Sequence, residues 1–183
     1  MLIGLTGQKR SGKDTFAYIV ESLIPNVKKI SFAHPMKEIA KIMFNLNDQE
    51  LEEQKETFEL DGITPRKFLQ LFGTEFCRKL FKDDIWVRKA FDNYDPKIHT
   101  IITDVRFDNE AEYIKNLGGL IVKVVRGEEK VAEHCSEAGV SEQFIDKIIL
   151  NNGLKSDYEN RALELYMDLL MKEKRENILK ELS

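Results

Sequence analysis

Apolar residues arrive in short bursts, separated by longer stretches in which they recur every three or four positions. The bursts Leu2-Ile3-Gly4-Leu5-Thr6, Val27 to Ala33, Ile98 to Thr103, Leu120 to Val125 and Ile145 to Leu150 are too short for helices. Turn residues bound them, and they predict five strands. Between them the period changes. Phe16, Ile19, Val20 and Leu23 mark the apolar face of one helix. Met36, Ile39, Ala40, Met43 and Phe44 mark a second, opened by His34-Pro35, since proline suits a first helical turn. Thr64-Pro65 starts a third, with Thr64 as its cap, and the run through Phe68, Leu69, Phe72, Gly73 and Phe76 carries it towards Leu80. Asp83-Asp84 begins a short helix through Ile85, Trp86, Val87 and Phe91. Asp108 can cap another, which stops at Gly118-Gly119, and Ser156-x-x-Glu159 reads as the capping box of a last helix.

Residues 45–63 break the rhythm. Asp48, Glu50, Glu52, Glu53, Glu56, Glu59 and Asp61 face one base, Lys55, which predicts a solvated, mobile connection, with a short helix as the alternative. Strands and helices otherwise alternate, the pattern of one parallel sheet covered on both faces. Such sheets bind ligands along the C-terminal edge of their strands. Asp104, Arg106, Arg126 and Asn151 follow strand ends, and so does the stretch that organises the chain.

That stretch is Gly7-Gln8-Lys9-Arg10-Ser11-Gly12-Lys13-Asp14-Thr15. G-x-x-x-x-G-K between a strand and a helix is a phosphate cradle. Without side chains at Gly7 and Gly12 the backbone can bend tightly and aim N–H groups inward, while the helix N-terminus and Lys13 add positive charge. Asp14 stands where Ser or Thr ordinarily reaches the metal. A carboxylate there could hold Mg²⁺ directly or through water, leaving Thr15 to bond a phosphate.

The length of 183 residues fits one domain with a real core, and 42% hydrophobic residues against 33% charged is ordinary for a globular chain. A net charge of −4 argues against a broad nucleic-acid surface. Cys77 and Cys135 form no C-x-x-C pair, which makes a reduced, intracellular, cytoplasmic setting the expectation. No apolar stretch reaches the roughly 20 residues of a membrane span, and the N-terminus does not read as a signal peptide.

Phosphoryl transfer asks a protein to align two substrates and neutralise the moving charge. Lys13 and magnesium serve the donor. Asp14 is the first metal candidate and Asp104 the second, with pairing to Arg106 as the alternative for Asp104. The acceptor needs cations that fork onto phosphate, and Arg66, Arg78 and Arg106 are available. Trp86 could stack on a base or fill the core. Arg126 opens a polar segment from Gly127 to about Gln143, in which Lys130 follows. His134-Cys135-Ser136-Glu137 lacks the second pair that a metal site would need.

The loop does not stand alone. Together with Pro65-Arg66-x-Phe68-Leu69-Gln70-x-x-Gly73-Thr74-Glu75, Ile85-Trp86-Val87, Thr103-Asp104-Val105-Arg106-x-x-x-Glu110, Val124-Val125-Arg126, His134-x-Ser136-Glu137 and Asn151-Asn152-Gly153, it resembles the phage-type deoxynucleoside monophosphate kinases. The resemblance covers most of the chain outside residues 45–63 and the final helix. It implies an α/β P-loop nucleoside monophosphate kinase fold, with a five-stranded parallel sheet and a lid, in a single domain over 1–183. The acceptor region would span about 34–95 and the lid about 126–143. It implies ATP and Mg²⁺, with a deoxynucleoside monophosphate as the other substrate; a monomer or homodimer without nucleic-acid or membrane partners is the accompanying expectation. If the chain is phage-encoded, it would work in the host cytoplasm.

The residues' own positions and the resemblance together assign the site. Gly7, Lys9, Arg10, Ser11, Gly12, Lys13, Asp14 and Thr15 would hold ATP, with Asn151 and Gly153 bordering adenine. Arg66, Gln70, Thr74, Arg78, Trp86, Asp104 and Arg106 would hold the acceptor. Lys13, Asp14 and Arg126 would act in catalysis. The alternatives are a dephospho-coenzyme A kinase-like enzyme, whose hydroxyl acceptor would need Asp14 or Asp104 as a base, and a nucleotide-binding module without turnover.

Overall fold

The structure is a computed structural model that describes residues 1–127 and 139–182. The described residues form two compact units, one made of residues 1–30 and 95–182 and the other of Ser31–Tyr94.

The first unit holds the sheet. Strands β1 (Leu2–Thr6), β2 (Val27–Ile30), β3 (His99–Ile102), β4 (Leu120–Val125) and β5 (Lys147–Leu150) lie in the order β2-β3-β1-β4-β5, and every pair is parallel. Helix α1 (Lys13–Leu23) follows β1, and the 27-residue C-terminal helix (Lys155–Glu181) follows β5. Phe16, Ala17, Ile19 and Val20 of α1 pack with Tyr158, Ala162, Tyr166 and Leu169 against Ile3, Leu5, Ile101, Val122, Val124 and Ile149. Gly4 points to the opposite face, where an added Cβ would lie 2.8 Å from Ile114, Ile121 and Val105. Ile114 belongs to the helix at Asp108–Asn116, so this glycine lets that helix close on the sheet. The three central strands β1, β3 and β4 are thus largely buried, as their apolar runs require, while β2 and β5 at the edges stay partly exposed.

β1 and β4 have the bounds the sequence predicts, whereas three strands are shorter. β2 stops at Ile30 because it is an edge strand, and Ser31 turns the chain by accepting a bond from the His34 amide at 3.2 Å. β3 ends at Ile102, and β5 begins at Lys147 after a 3₁₀ turn at Glu142–Phe144. Leu23 is exposed. It is the last residue of α1, and the extended Ile24 packs on the core in its place.

Two helix starts depart from expectation. The helix from Asp108 is not capped by Asp108, whose carboxylate accepts from the Ser141 amide at 2.8 Å and its hydroxyl at 2.5 Å. Glu110 reaches back to the Arg106 and Phe107 amides instead. The last helix begins at Lys155, so Ser156 is already inside it and makes no capping bond. Its first turn closes from the Tyr158 amide to the Leu154 carbonyl, at 3.3 Å.

The second unit is helical. Helix α2 (His34–Phe44) is followed by α3 (Asp48–Gln54) and α4 (Pro65–Gln70). α4 runs directly into a π-helix (Leu71–Phe81), and α5 (Ile85–Phe91) completes the unit. Residues 45–63 are therefore not an open connection. Asn47 and Glu50 form a reciprocal capping box, and Leu51 packs on Ala40 and Phe44. Lys37 and Lys55 both bind Glu52, and burial raises that carboxyl less than the two ammonium bonds lower it, to about 2.

Thr64 caps α4 as expected, accepting from the Lys67 amide at 3.2 Å. Gly73 lies in the π-helix, and a Cβ there would collide with the Met36 sulfur. Its carbonyl accepts the Trp86 indole N–H at 2.9 Å, a tertiary bond that competes with the helical ladder. Among the described residues no helix is long and apolar enough to cross a membrane.

Candidate active site

The loop after β1 is built around its two glycines. Gly7 has φ 131° and Gly12 φ 111°, in the region that side chains disfavour. A Cβ at Gly7 would overlap the Val124 carbonyl oxygen, and one at Gly12 would overlap the Asn151 amide. The neighbouring strand ends therefore leave room for backbone only. Between them Arg10 also takes a positive φ of 63°, and the Ser11 amide donates to the Gln8 carbonyl at 3.1 Å. Lys9 and Arg10 project outward, while Ser11 is buried.

Lys13 turns back over this cradle. Its ammonium donates to the Gly7 and Gln8 carbonyls, each at 2.7 Å, and lies 3.5 Å from the Ser11 hydroxyl. Burial pushes its pKa from 10.5 down to about 8, and the Arg106 guanidinium pushes the same way, opposed by Asp14 and Asp104. Residues from the ends of β1 and β3 thus act on one ammonium. Asp14 is exposed and Thr15 partly so at the start of α1; Asp104 and Arg106 are partly buried.

The loop is also held from the C-terminal side, where sequence reasoning placed an adenine border. Asn151 directs its side-chain amide to the Ser11 carbonyl at 2.7 Å, and its own backbone N–H donates to the Val125 carbonyl at 2.7 Å. Tyr158 donates its hydroxyl to the Gly12 carbonyl at 2.9 Å. Sequence reasoning missed Tyr158, because nothing separates it from any other core tyrosine of an amphipathic helix. Gly153 is exposed with φ 98°, and the Asn152 side chain accepts from Gly127 at 2.9 Å. Arg126 is exposed at the end of β4. Lys130 and His134-Cys135-Ser136-Glu137 lie outside the described residues, as does most of the expected lid.

In the second unit Arg66 sits in the first turn of α4, with its Nε 2.5 Å from Glu56 and its amide bonded to the Lys55 carbonyl. Gln70 and Thr74 follow at four-residue steps, Gln70 partly exposed and Thr74 buried. Arg78 is buried and donates to both the carbonyl and the carboxylate of Asp83, at 2.8 and 3.2 Å. Trp86 is buried too and packs 6.2 Å from Phe72.

Among the described residues no three His, Cys, Asp or Glu side chains gather to hold a metal by themselves. Asp14 and Asp104 are carboxylates that both act on Lys13, and Mg²⁺ is commonly held by one or two carboxylates with substrate phosphates completing its shell.

A five-stranded parallel sheet whose first strand runs through a glycine loop into a helix defines a P-loop kinase fold. A dephospho-CoA kinase from Campylobacter jejuni shares it, with a TM-score of 0.53 and 17% identity over 92% of this chain and 96% of that one. The sequence is more specific. The family model described as deoxynucleotide monophosphate kinase matches residues 49–161. An Acanthamoeba polyphaga mimivirus protein with the provisional name deoxynucleotide monophosphate kinase is 37% identical, over 89% of this chain and 94% of its own length. The deoxynucleoside-5'-monophosphate kinase of Escherichia phage T5 is 27% identical, over 91% of this chain and 94% of its own. The chain belongs to the deoxynucleotide monophosphate kinase family.

Proposed function

We propose that this chain transfers the γ-phosphoryl group of ATP to a deoxynucleoside 5′-monophosphate, giving ADP and the deoxynucleoside diphosphate. The observation that carries the reading is the cradle after β1. Its backbone is kept clear by Gly7 and Gly12, and a cation stands over it at Lys13. Gly7, Lys9, Arg10, Ser11, Gly12, Lys13, Asp14 and Thr15 would bind the ATP phosphates, with Asn151 and Gly153 on the nucleotide side of the same loop. Backbone N–H groups and the start of α1 accept negative charge without having to reorganise. Lys13 shares its charge with the transferring group. Arg126, exposed at the end of β4, would add a second cation. Asp14 and Asp104 would hold magnesium, which when bound neutralises charge on the β- and γ-phosphates.

On the acceptor side Arg66 is our candidate for the monophosphate, with Gln70, Thr74, Arg78, Trp86, Asp104 and Arg106 completing the set. A phosphate acceptor is already ionised near neutral pH and needs orientation more than a base. Orientation is what bidentate arginines supply. Family membership supports this acceptor over dephospho-coenzyme A, whose kinase shares the fold at 17% identity.

A coupled ADP-release assay tests the proposal against a panel of deoxynucleoside monophosphates, the matching deoxynucleosides and dephospho-coenzyme A. Turnover confined to monophosphates is expected. Turnover only with dephospho-coenzyme A would transfer the assignment to that reaction, and ATP binding without turnover on any acceptor would leave a binding module.

A further inference from the structure

Of the motif Thr103-Asp104-Val105-Arg106-x-x-x-Glu110, Asp104 and Arg106 have tasks in the proposed reaction and Glu110 has none. Glu110 is only 2% exposed. A carboxylate so withdrawn from water is tolerated in a fold when donors replace its hydration. One oxygen of Glu110, Oε2, accepts from the Arg106 amide at 2.7 Å and from the Phe107 amide at 3.1 Å.

The rest of that loop is equally fixed. The Thr103 amide donates to the Ile30 carbonyl at 3.2 Å and the Val105 amide to the Leu5 carbonyl at 3.0 Å, with the Val105 side chain buried. Glu110 therefore sets the two peptide planes on either side of the Arg106 Cα, and with them the direction in which its side chain leaves the backbone. A bond to Phe107 alone would be ordinary capping of the helix at Asp108–Asn116. The shorter bond, to Arg106, reaches past the helix end into the loop.

We propose that Glu110 is a positioning residue. Its buried carboxylate, through these two amides, holds Arg106 where the guanidinium meets a phosphate of the bound nucleotides. This rests on the kinase reading, and the experiment keeps the two apart.

Glu110→Gln keeps the side-chain length and one acceptor oxygen, whereas Glu110→Asp is one methylene too short to reach both amides. Steady-state kinetics with ATP and a deoxynucleoside monophosphate are measured for both variants, alone and combined with Arg106→Ala. Folding is checked by circular dichroism. The aspartate variant should lose about tenfold in kcat with little change in KM for ATP, and the glutamine variant should recover most of that loss. In the Arg106→Ala background the aspartate and glutamine variants should be alike, because the group that Glu110 aims is gone. Equal kcat for the two single variants would overturn the positioning role, and so would an aspartate penalty that persists without the Arg106 side chain. Full kcat in Arg106→Ala alone would overturn it as well, since there would be no guanidinium to position, whereas turnover with the monophosphate would leave the kinase reading standing.

Discussion

Replacing Lys13 by methionine separates what this residue does for the fold from what it does for the nucleotide. Methionine keeps the aliphatic stem and removes the charge. In the folded chain the ammonium has a pKa of about 8 against 10.5 ordinarily, chiefly through burial. Between those values the unfolded chain binds more protons than the folded one, so stability from this group rises with pH. Below pH 8 the folded state carries the full penalty of the depressed pKa, about 3 kcal/mol at about pH 7.

The two bonds from the ammonium to the Gly7 and Gln8 carbonyls offset part of this penalty. The difference between two pH values is therefore the cleaner quantity. Denaturant unfolding of both proteins at about pH 7 and about pH 9.5 should show the stability of the variant relative to wild type falling by about 2 kcal/mol at the higher pH. With ATP the contrast reverses. Wild type should gain thermal stability, and the variant should gain far less and turn over at least about a hundredfold more slowly. In wild type kcat/KM for ATP should decline as pH rises through about 8, where free Lys13 loses its proton. A relative stability that does not change with pH would refute the buried ammonium. Unaltered turnover would refute the site.

Asp14→Asn should need more magnesium for half-maximal rate while binding metal-free ATP as well as wild type or better, and identical magnesium titrations would make Asp14 structural. Arg66→Ala should weaken kcat/KM for the monophosphate about ten- to a hundredfold and leave ATP affinity unchanged when measured without acceptor. Arg66→Lys should restore only part, because an ammonium cannot fork onto two oxygens. Tyr158→Phe and Asn151→Ala each remove a bond to a loop carbonyl, at Gly12 and Ser11, and should each cost about 1 kcal/mol in denaturant stability. Both should raise KM for ATP, and an unchanged KM would show that the loop keeps its shape without them.

The parts of this fold that were legible from sequence are those in which one physical signal dominates. β1 is wholly buried and β4 mostly so, with Lys123 the one charge in either run, and their bounds follow directly. The glycine loop is equally plain, since its spacing fixes its backbone. Edges were less legible. β2 ends where Ser31 turns the chain, a tertiary decision made at the border of the sheet. The helix Asp48–Gln54 was written in Asn47-x-x-Glu50, but the surrounding acidic residues hid both the capping box and the buried Leu51.

The π-helix was not legible at all. Phe68, Phe72 and Phe76, which stack at 5.3 and 5.8 Å, are spaced as an ordinary helix would space them. In the candidate site, the glycine loop, Asp104, Arg106, Arg126 and Asn151 could be placed on the sheet edge from their positions after strands, but their partners could not be read that way. The bond from Asn151 to Ser11, that from Tyr158 to Gly12 and the use of Glu110 by Arg106 all depend on how the folded loops meet.

The central claim is that a phosphoryl group moves from ATP to a phosphate. ATP labelled with ³²P at the γ position, incubated with the protein, magnesium and an unlabelled deoxynucleoside monophosphate, locates that group directly. The label should appear in the β-phosphate of the deoxynucleoside diphosphate, one for each ADP formed, and should fail to appear there with Lys13→Met. Label found only in inorganic phosphate, or left in ATP with every monophosphate offered, would contradict the claim.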